Sequence, residues 1–300
     1  VLNESGQVAF AAGLTGGSST SGLFAGLPGS LSAVALQGTP APAGGNYNTF
    51  PSLPRLNGAG QVAFVANLTG GSSTRGIFAG LPGALSTVAL QGTPAPVGGN
   101  YSGIISPVLN ESGQVAFAAG LTGGSATSGL FTGLPGSLSA VALQGTPAPA
   151  GSNYNSLLNF ALNGAGQVAF TANLTGTGVT TANDLGLYAG FVGNIVKVVR
   201  EGDIIDVDPG AGTDLRTVAD DGIAFVTVSG GQDGRNIFFA DNGALVYRLA
   251  FTDGSSGVFT SVVPVPEPGC VLAFAGLAAI VGWRLRRAGV GKSENSPESV

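Results

Sequence analysis

One eight-residue pattern, Asn-x-x-Gly-x-x-Ala-Phe, returns along this chain at a nearly constant distance. Its copies are Asn3/Gly6/Ala9/Phe10, Asn57/Gly60/Ala63/Phe64, Asn110/Gly113/Ala116/Phe117 and Asn163/Gly166/Ala169/Phe170, spaced by 54, 53 and 53 residues. A worn fifth copy reads Asp220-Asp221-Gly222-Ile223-Ala224-Phe225. Self-similarity at such a period means that each copy is one supersecondary unit. A unit of that size cannot bury its apolar face alone, so neighbours must stack.

Each unit carries further shared parts. Gly22-Leu23-Phe24-Ala25-Gly26 returns as Gly76-Ile77-Phe78-Ala79-Gly80 and Gly129-Leu130-Phe131-Thr132-Gly133. It weakens to Gly186-Leu187-Tyr188-Ala189-Gly190 and then to Asn236-Ile237-Phe238-Phe239-Ala240. Val34-Ala35-Leu36-Gln37-Gly38-Thr39-Pro40 recurs at Val88 and Val141, and its fourth version is Val198-Val199-Arg200-Glu201-Gly202-Asp203. In the first unit, Gln7–Ala12, Leu23–Ala25 and Leu31–Leu36 alternate or sit between glycines and prolines, which predicts three strands. Tyr47–Leu56 predicts a fourth, pushed to an edge by Pro51 and Pro54. No stretch before residue 264 sustains a helical period.

The residue types fit these places. An Asn-x-x-Gly turn reverses the chain where positive φ is needed. The Ala-Phe pair then sets a small and a large side chain on opposite faces of a strand. The small residue lets a neighbouring sheet approach and the phenylalanine fills the gap, so Phe10, Phe64, Phe117, Phe170 and Phe225 are expected core. The fold expected is all-β: a β-propeller or propeller-like tandem array of about 53-residue, four-strand units, with an open stack of small sheets as the alternative. The units start near residues 1, 55, 108, 161 and 218 and fill residues 1–250. Residues 251–265 are a last strand or a linker. The first and third units share eighteen residues beginning at Val1 and Val108, which points to copying of a two-unit block.

The motif resembles the NxxGxxAF tandem-repeat family of bacterial surface proteins over about residues 1–250. That family supplies no activity to carry over, and the resemblance implies a surface location.

A second signature closes the chain. Pro266-Glu267-Pro268 precedes an apolar run to Trp283 and then Arg284-Leu285-Arg286-Arg287. The 16 uncharged residues from Pro268 to Trp283 would span roughly 24 Å as a helix, against about 30 Å of bilayer core. Snorkelling arginines and an interfacial tryptophan narrow that gap, and arginines on the C-terminal side place the bulk of the chain outside the cell. Over about residues 264–287 this arrangement resembles the PEP-CTERM sorting domain of exported bacterial proteins. The resemblance implies an exosortase-type partner, processing near Pro266, Glu267 and Pro268, and a cell-surface or extracellular-matrix destination. Residues 288–300 depart from the pattern as an added polar tail. The chain has no methionine and opens within the repeat pattern, which reads as a fragment lacking its N-terminus.

Composition excludes several chemistries. There is no histidine, and Cys270, the one cysteine, lies in the tail. A His-based triad, a His-ligated metal and an internal disulfide are therefore ruled out. A net charge of −5 with 11 lysines and arginines disfavours nucleic acid as a partner. Only Glu4 and Glu111 are acidic before Asp184, in equivalent turns of distant units. Asn-x-Ser/Thr triplets at Asn3, Asn67, Asn110 and Asn173 read as turn chemistry.

Two candidate sites remain. Asp206, Asp208 and Asp214, around Pro209 and two glycines, could wrap a hard cation such as Ca²⁺, although the spacing is not that of an EF-hand loop; no other cofactor is expected. Tyr47, Tyr101 and Tyr154, each after an asparagine, would suit stacking on a sugar if exposed, and would otherwise cap the core. The expected role is structural or adhesive and non-enzymatic. The alternatives are a multivalent polysaccharide-binding module, and a hydrolase acting through the acidic C-terminal repeats or an absent N-terminus.

Overall fold

The structure, a computed structural model, describes residues 1–105, 107–149, 151–225 and 238–264. These residues form five antiparallel sheets. The first is β1 (Val8–Gly13), β2 (Ser21–Leu27) and β3 (Ser30–Leu36). The second is β4 (Asn46–Thr49), β5 (Arg55–Leu56), β6 (Val62–Thr69), β7 (Arg75–Leu81) and β8 (Ala84–Leu90). The third repeats it as β9 (Asn100–Ile104), β10 (Val108–Leu109), β11 (Val115–Thr122), β12 (Ser128–Leu134) and β13 (Ser137–Leu143). The fourth is β14 (Asn153–Leu162), β15 (Val168–Thr175), β16 (Leu185–Phe191) and β17 (Asn194–Arg200). The fifth is β18 (Ile204–Asp206), β19 (Leu215–Phe225), β20 (Ala244–Phe251) and β21 (Ser256–Val262). Among the described residues the only helical element is one 3-10 turn, Thr181–Asn183.

Each central hairpin puts aromatic opposite aromatic. Phe64 pairs with Phe78, Phe117 with Phe131 and Phe170 with Tyr188 across their strands, with ring centroids 5.8, 5.6 and 5.6 Å apart. Because side chains alternate along a strand, this pair faces one neighbour while Ala63, Val65, Ile77 and Ala79 face the other. Four hydrophobic cores result, and each is shared by two successive sheets. Sheets of this sort are buried on both faces, which explains stretches such as Val62–Ala66 that lack a polar alternate.

The pattern asparagines do more than turn the chain. Asn3, Asn57, Asn110 and Asn163 are buried. In each, Oδ1 accepts the backbone N–H of the glutamine four residues on, at 2.8–2.9 Å. One Nδ2 hydrogen goes to that glutamine's Oε1. The other crosses to the next unit: Asn3 to Asn57 O at 2.8 Å, Asn57 to Asn110 O at 3.0 Å, Asn110 to Asn163 O at 2.9 Å, and Asn163 to Ala240 O at 2.9 Å. A ladder of primary amides thus crosses every join, with the buried polar atoms satisfied. The pattern glycine serves the same joins. Gly60, Gly113 and Gly166 have φ of 80°, 77° and 87°, and a Cβ there would lie 2.8–2.9 Å from the Oε1 of Gln7, Gln61 and Gln114 of the preceding unit.

Three expectations change. The fourth strand does not complete its own unit: β4 and β5 pair with β6, and β9 and β10 with β11, so each linker is the edge of the following sheet. Pro51 and Pro54 lie between β4 and β5 and split the segment. The worn fifth copy at Asp220 is not a turn. It is an irregularity in β19 between Val218 and Ile223. The fifth turn is Ala240–Gly243, where Gly243 N–H donates to Ala240 O and Ala240 N–H to Ala244 O, the pattern made by Asn57, Gly60 and Gln61. Gly257 and Phe259 of β21, with Tyr247 opposite Phe259, take the place expected for residues 236–240, so residues 256–262 are a strand and not a linker. Phe225 accordingly lies in β19 and is only half-buried.

Candidate functional site

The tyrosines expected as a sugar platform are interior. Tyr47, Tyr101 and Tyr154 are only 3, 2 and 3 % exposed. Each ring packs edge-on against the second aromatic of its sheet, at 5.2 Å from Phe78, 5.3 Å from Phe131 and 5.3 Å from Tyr188. Burial raises all three phenols, Tyr101 to about 12. The hydroxyls of Tyr47 and Tyr101 are buried and have no hydrogen-bond partner among the described residues. The Pro-rich turn before each tyrosine folds it inward over the aromatic pair, so of the two readings of these residues the core cap holds and there is no exposed platform.

The expected calcium loop is held by its own backbone. Asp206 Oδ1 accepts the N–H groups of Asp208 and Asp214, at 3.1 and 3.0 Å, and Asp208 Oδ1 accepts Gly210 N–H at 2.7 Å. Asp214 pairs with Arg216 at 2.7 Å, and Arg216 also reaches Asp253 at 3.0 Å. These three aspartates therefore serve turn and ion-pair roles and do not converge on one point. Pro266, Glu267, Pro268, Arg284, Arg286 and Arg287 lie outside the described residues. Among the described residues no helix is long and apolar enough to cross a membrane.

The structure brings together a different set, at the join of the fourth and fifth sheets. Asp184, Glu201 and Asp220 each offer a carboxylate oxygen, all within 4.8 Å of one another. Asp184 precedes β16, Glu201 follows β17 and Asp220 stands on β19. The repeat shows what these positions hold elsewhere. In the first three units the residue equivalent to Asp184 is Thr20, Thr74 or Thr127, each bonding the leucine N–H that Asp184 O bonds here. The residue equivalent to Glu201 is Gln37, Gln91 or Gln144, and in each case the threonine hydroxyl donates to the glutamine Oε1. In the fourth unit this neutral pair has become two carboxylates.

Glu201 is the centre of the group. It is buried, with Oε2 accepting Leu185 N–H at 2.9 Å and Oε1 accepting Asp221 N–H at 2.6 Å. Burial raises its carboxyl to about 7; those two N–H bonds oppose the shift, and the charges of Asp184 and Asp220 add to it. Asp184 is half-buried and Asp220 is exposed, so the group opens to solvent on one side. The irregularity in β19 aims Asp220 at this point. It depends on Asp221 at φ 52°, the one non-glycine residue at positive φ among the described residues, and on Gly222, where a Cβ would meet Ala219 O at 2.6 Å and Ala250 O at 2.7 Å. Carboxylates so placed can hold a hard cation, and a carboxyl that titrates near neutrality can exchange a proton there. The glutamine-to-glutamate change stands already in the sequence alignment of the repeat, at Gln37 against Glu201, whereas the threonine-to-aspartate change becomes visible once the units are aligned by structure.

A family model described as a family of unknown function (DUF7453) matches residues 1–272, a span that includes all five sheets. No curated protein matches the chain.

Proposed function

This chain belongs to the DUF7453 family, and we propose that it is an exported bacterial surface protein with a structural or adhesive role. The supporting observation is the unbroken stack. Four cores are each shared by successive sheets, and the amide ladder crosses all four joins. The repeated aromatic, asparagine and glycine residues are occupied in holding units together, as in a quasi-one-dimensional repeat protein whose stability is a sum over neighbours. Radial stacking of such sheets into a propeller-like array is the finer reading of the fold.

The destination rests on the sequence of residues 266–287, whose motif, apolar run and arginines suit an exosortase-type sorting enzyme and a membrane anchor before processing. Protease treatment of intact cells expressing the full chain tests it. The repeats should be cleaved from outside, and Glu267→Ala should shift the chain from the surface or medium to the membrane fraction. Full protection of the unaltered chain inside intact cells would sink the proposal.

The Asp184–Glu201–Asp220 group favours a second reading, a hard-cation site such as one for Ca²⁺ that clamps the fourth sheet to the fifth. Melting the chain with calcium and with a chelator tests this. Calcium should raise the melting temperature of the natural chain and leave Glu201→Gln unmoved; equal curves would dismiss the site.

A further inference from the structure

We propose that the clefts between successive units, floored by Gln7, Gln61 and Gln114, are docking sites for an extended, proline-bearing peptide segment. The inference does not depend on where the protein resides. Three observations carry it.

The first is that the cleft recurs. Between the first and second sheets a cleft of about 370 Å³ is lined by Gln7, Leu27, Ser32, Gly60, Leu81 and Pro82, among others. Between the second and third sheets the equivalent residues, Gln61, Leu81, Ser86, Gly113, Leu134 and Pro135, line one of about 240 Å³. Leu27, Leu81 and Leu134 are exposed, so the same aliphatic wall returns with each unit.

The second is the donor at the floor. The Oε1 of Gln7, Gln61 and Gln114 accepts the asparagine amide of its own turn, which fixes the side chain. The Nε2 of each has no hydrogen-bond partner among the described residues, and all three side chains are half-buried. Each join therefore keeps two N–H groups for an acceptor that the fold does not supply.

The third is what the fourth glutamine holds. Val62 lies opposite Gly80 and Leu245 opposite Ser261, so Val263 takes the place of Pro82. At Pro82 and Pro135 the chain turns back into β8 and β13. At Val263 it makes no such hairpin among the described residues and passes over Gln167. There Gln167 Nε2 donates to Val263 O at 3.2 Å and to Pro264 O at 3.0 Å, and Gln167 is fully buried. A Val-Pro backbone thus covers the one glutamine of the four whose amide is satisfied.

The chemistry of the cleft fits the same kind of occupant at the other three. Free N–H donors call for carbonyl oxygens. A proline-bearing segment brings carbonyls without a matching row of N–H groups, holds an extended shape at low entropic cost, and packs well on aliphatic walls. No charged side chain lines either cleft, so a charged ligand has no partner there. No aromatic ring lines them either, so a sugar has no stacking platform.

A peptide of residues 261–266, Ser-Val-Val-Pro-Val-Pro, titrated against the isotope-labelled full chain and followed by the glutamine side-chain amide signals, tests the sites. The signals of Gln7, Gln61 and Gln114 should shift saturably while that of Gln167 stays in place. Gln61→Glu keeps an oxygen for Asn57 and removes the donor. It should weaken binding at its own cleft about fivefold, with Gln7 unaffected. The peptide carrying Pro264→Ala should bind less tightly at every cleft. Absence of saturable shifts, equal movement of Gln167, or binding indifferent to Gln61→Glu would overturn the proposal. So would shifts produced by a neutral oligosaccharide such as cellohexaose and not by the peptide, which would assign the clefts to a sugar.

Discussion

At the join of the second and third sheets, Asn57 donates to Asn110 O, and the nearby Thr74–Gln91 pair is neutral. At the join of the fourth and fifth sheets, Asn163 still donates, but to Ala240 O, 77 residues away. There the neutral pair has become Asp184 and Glu201, and Asp220 adds a third carboxylate. The ladder needs only a backbone oxygen from its acceptor, so it can end on an alanine. The alanine has no amide to pass on. Like charges gathered at a join cost stability unless a proton or cation offsets them. The middle joins therefore read as pure packing, and the last as packing altered for another purpose.

The largest test of that contrast uses the aromatic pair. Phe117→Ala should cost about 3–5 kcal/mol in chemical denaturation, because the ring is fully buried between two sheets. Phe10→Ala, on the half-covered first sheet, should cost about 1–2 kcal/mol. Equal losses would mean that the first sheet is as well covered as the third.

Next comes the ladder. Asn110→Ala removes both Nδ2 bonds and the Oδ1 acceptor for Gln114 and leaves Asn163 O without its amide, a loss of about 2–3 kcal/mol. Asn163→Ala should cost a similar amount, since Ala240 O likewise loses its amide and keeps only Gly243 N–H. A much smaller loss for Asn163 would show that the last join does not rely on the ladder.

The pH dependence of the last join is a third test. Burial raises Glu201 from 4.5 to about 7, so the folded chain holds this proton more tightly than the unfolded chain. Its contribution is fully present below the unfolded value and is lost as pH rises through about 7. Glu201→Gln removes that dependence. Melting temperatures from pH 4 to 8, about the two values just given, should shift steadily in favour of the variant as pH rises. A pH-independent difference would place the Glu201 carboxyl at an ordinary value.

The smallest expected effect is at Tyr101. Its hydroxyl is buried with no partner among the described residues, so Tyr101→Phe should change stability by less than about 0.5 kcal/mol or raise it. A loss well above that would reveal a partner for the hydroxyl, such as an ordered water.

Much of the fold was legible because its signals are local. Asn57, Gly60, Ala63 and Phe64 mark a turn and a two-faced strand wherever they recur, and the all-β reading follows from them. The site was not legible in the same way. Asp206, Asp208 and Asp214 attract notice by standing close in sequence, yet their carboxylates are taken by neighbouring N–H groups and Arg216. Tyr47 looks exposed because it follows a polar turn, but the direction of that turn depends on the sheet beneath it. Asp220-Asp221-Gly222 has the composition of a turn and forms a bulge, because Ala219 O and Ala250 O crowd Gly222.

The sequence by itself determined the period, the strand-and-turn content of each unit and the absence of histidine chemistry, since these depend on residue type and short spacing. Only the tertiary structure decided that each linker joins the following sheet, that the asparagines bridge successive units, and that Asp184, Glu201 and Asp220 meet. These facts depend on the register between neighbouring units, which is set by how aromatic and small faces interlock and is written in no single stretch of chain.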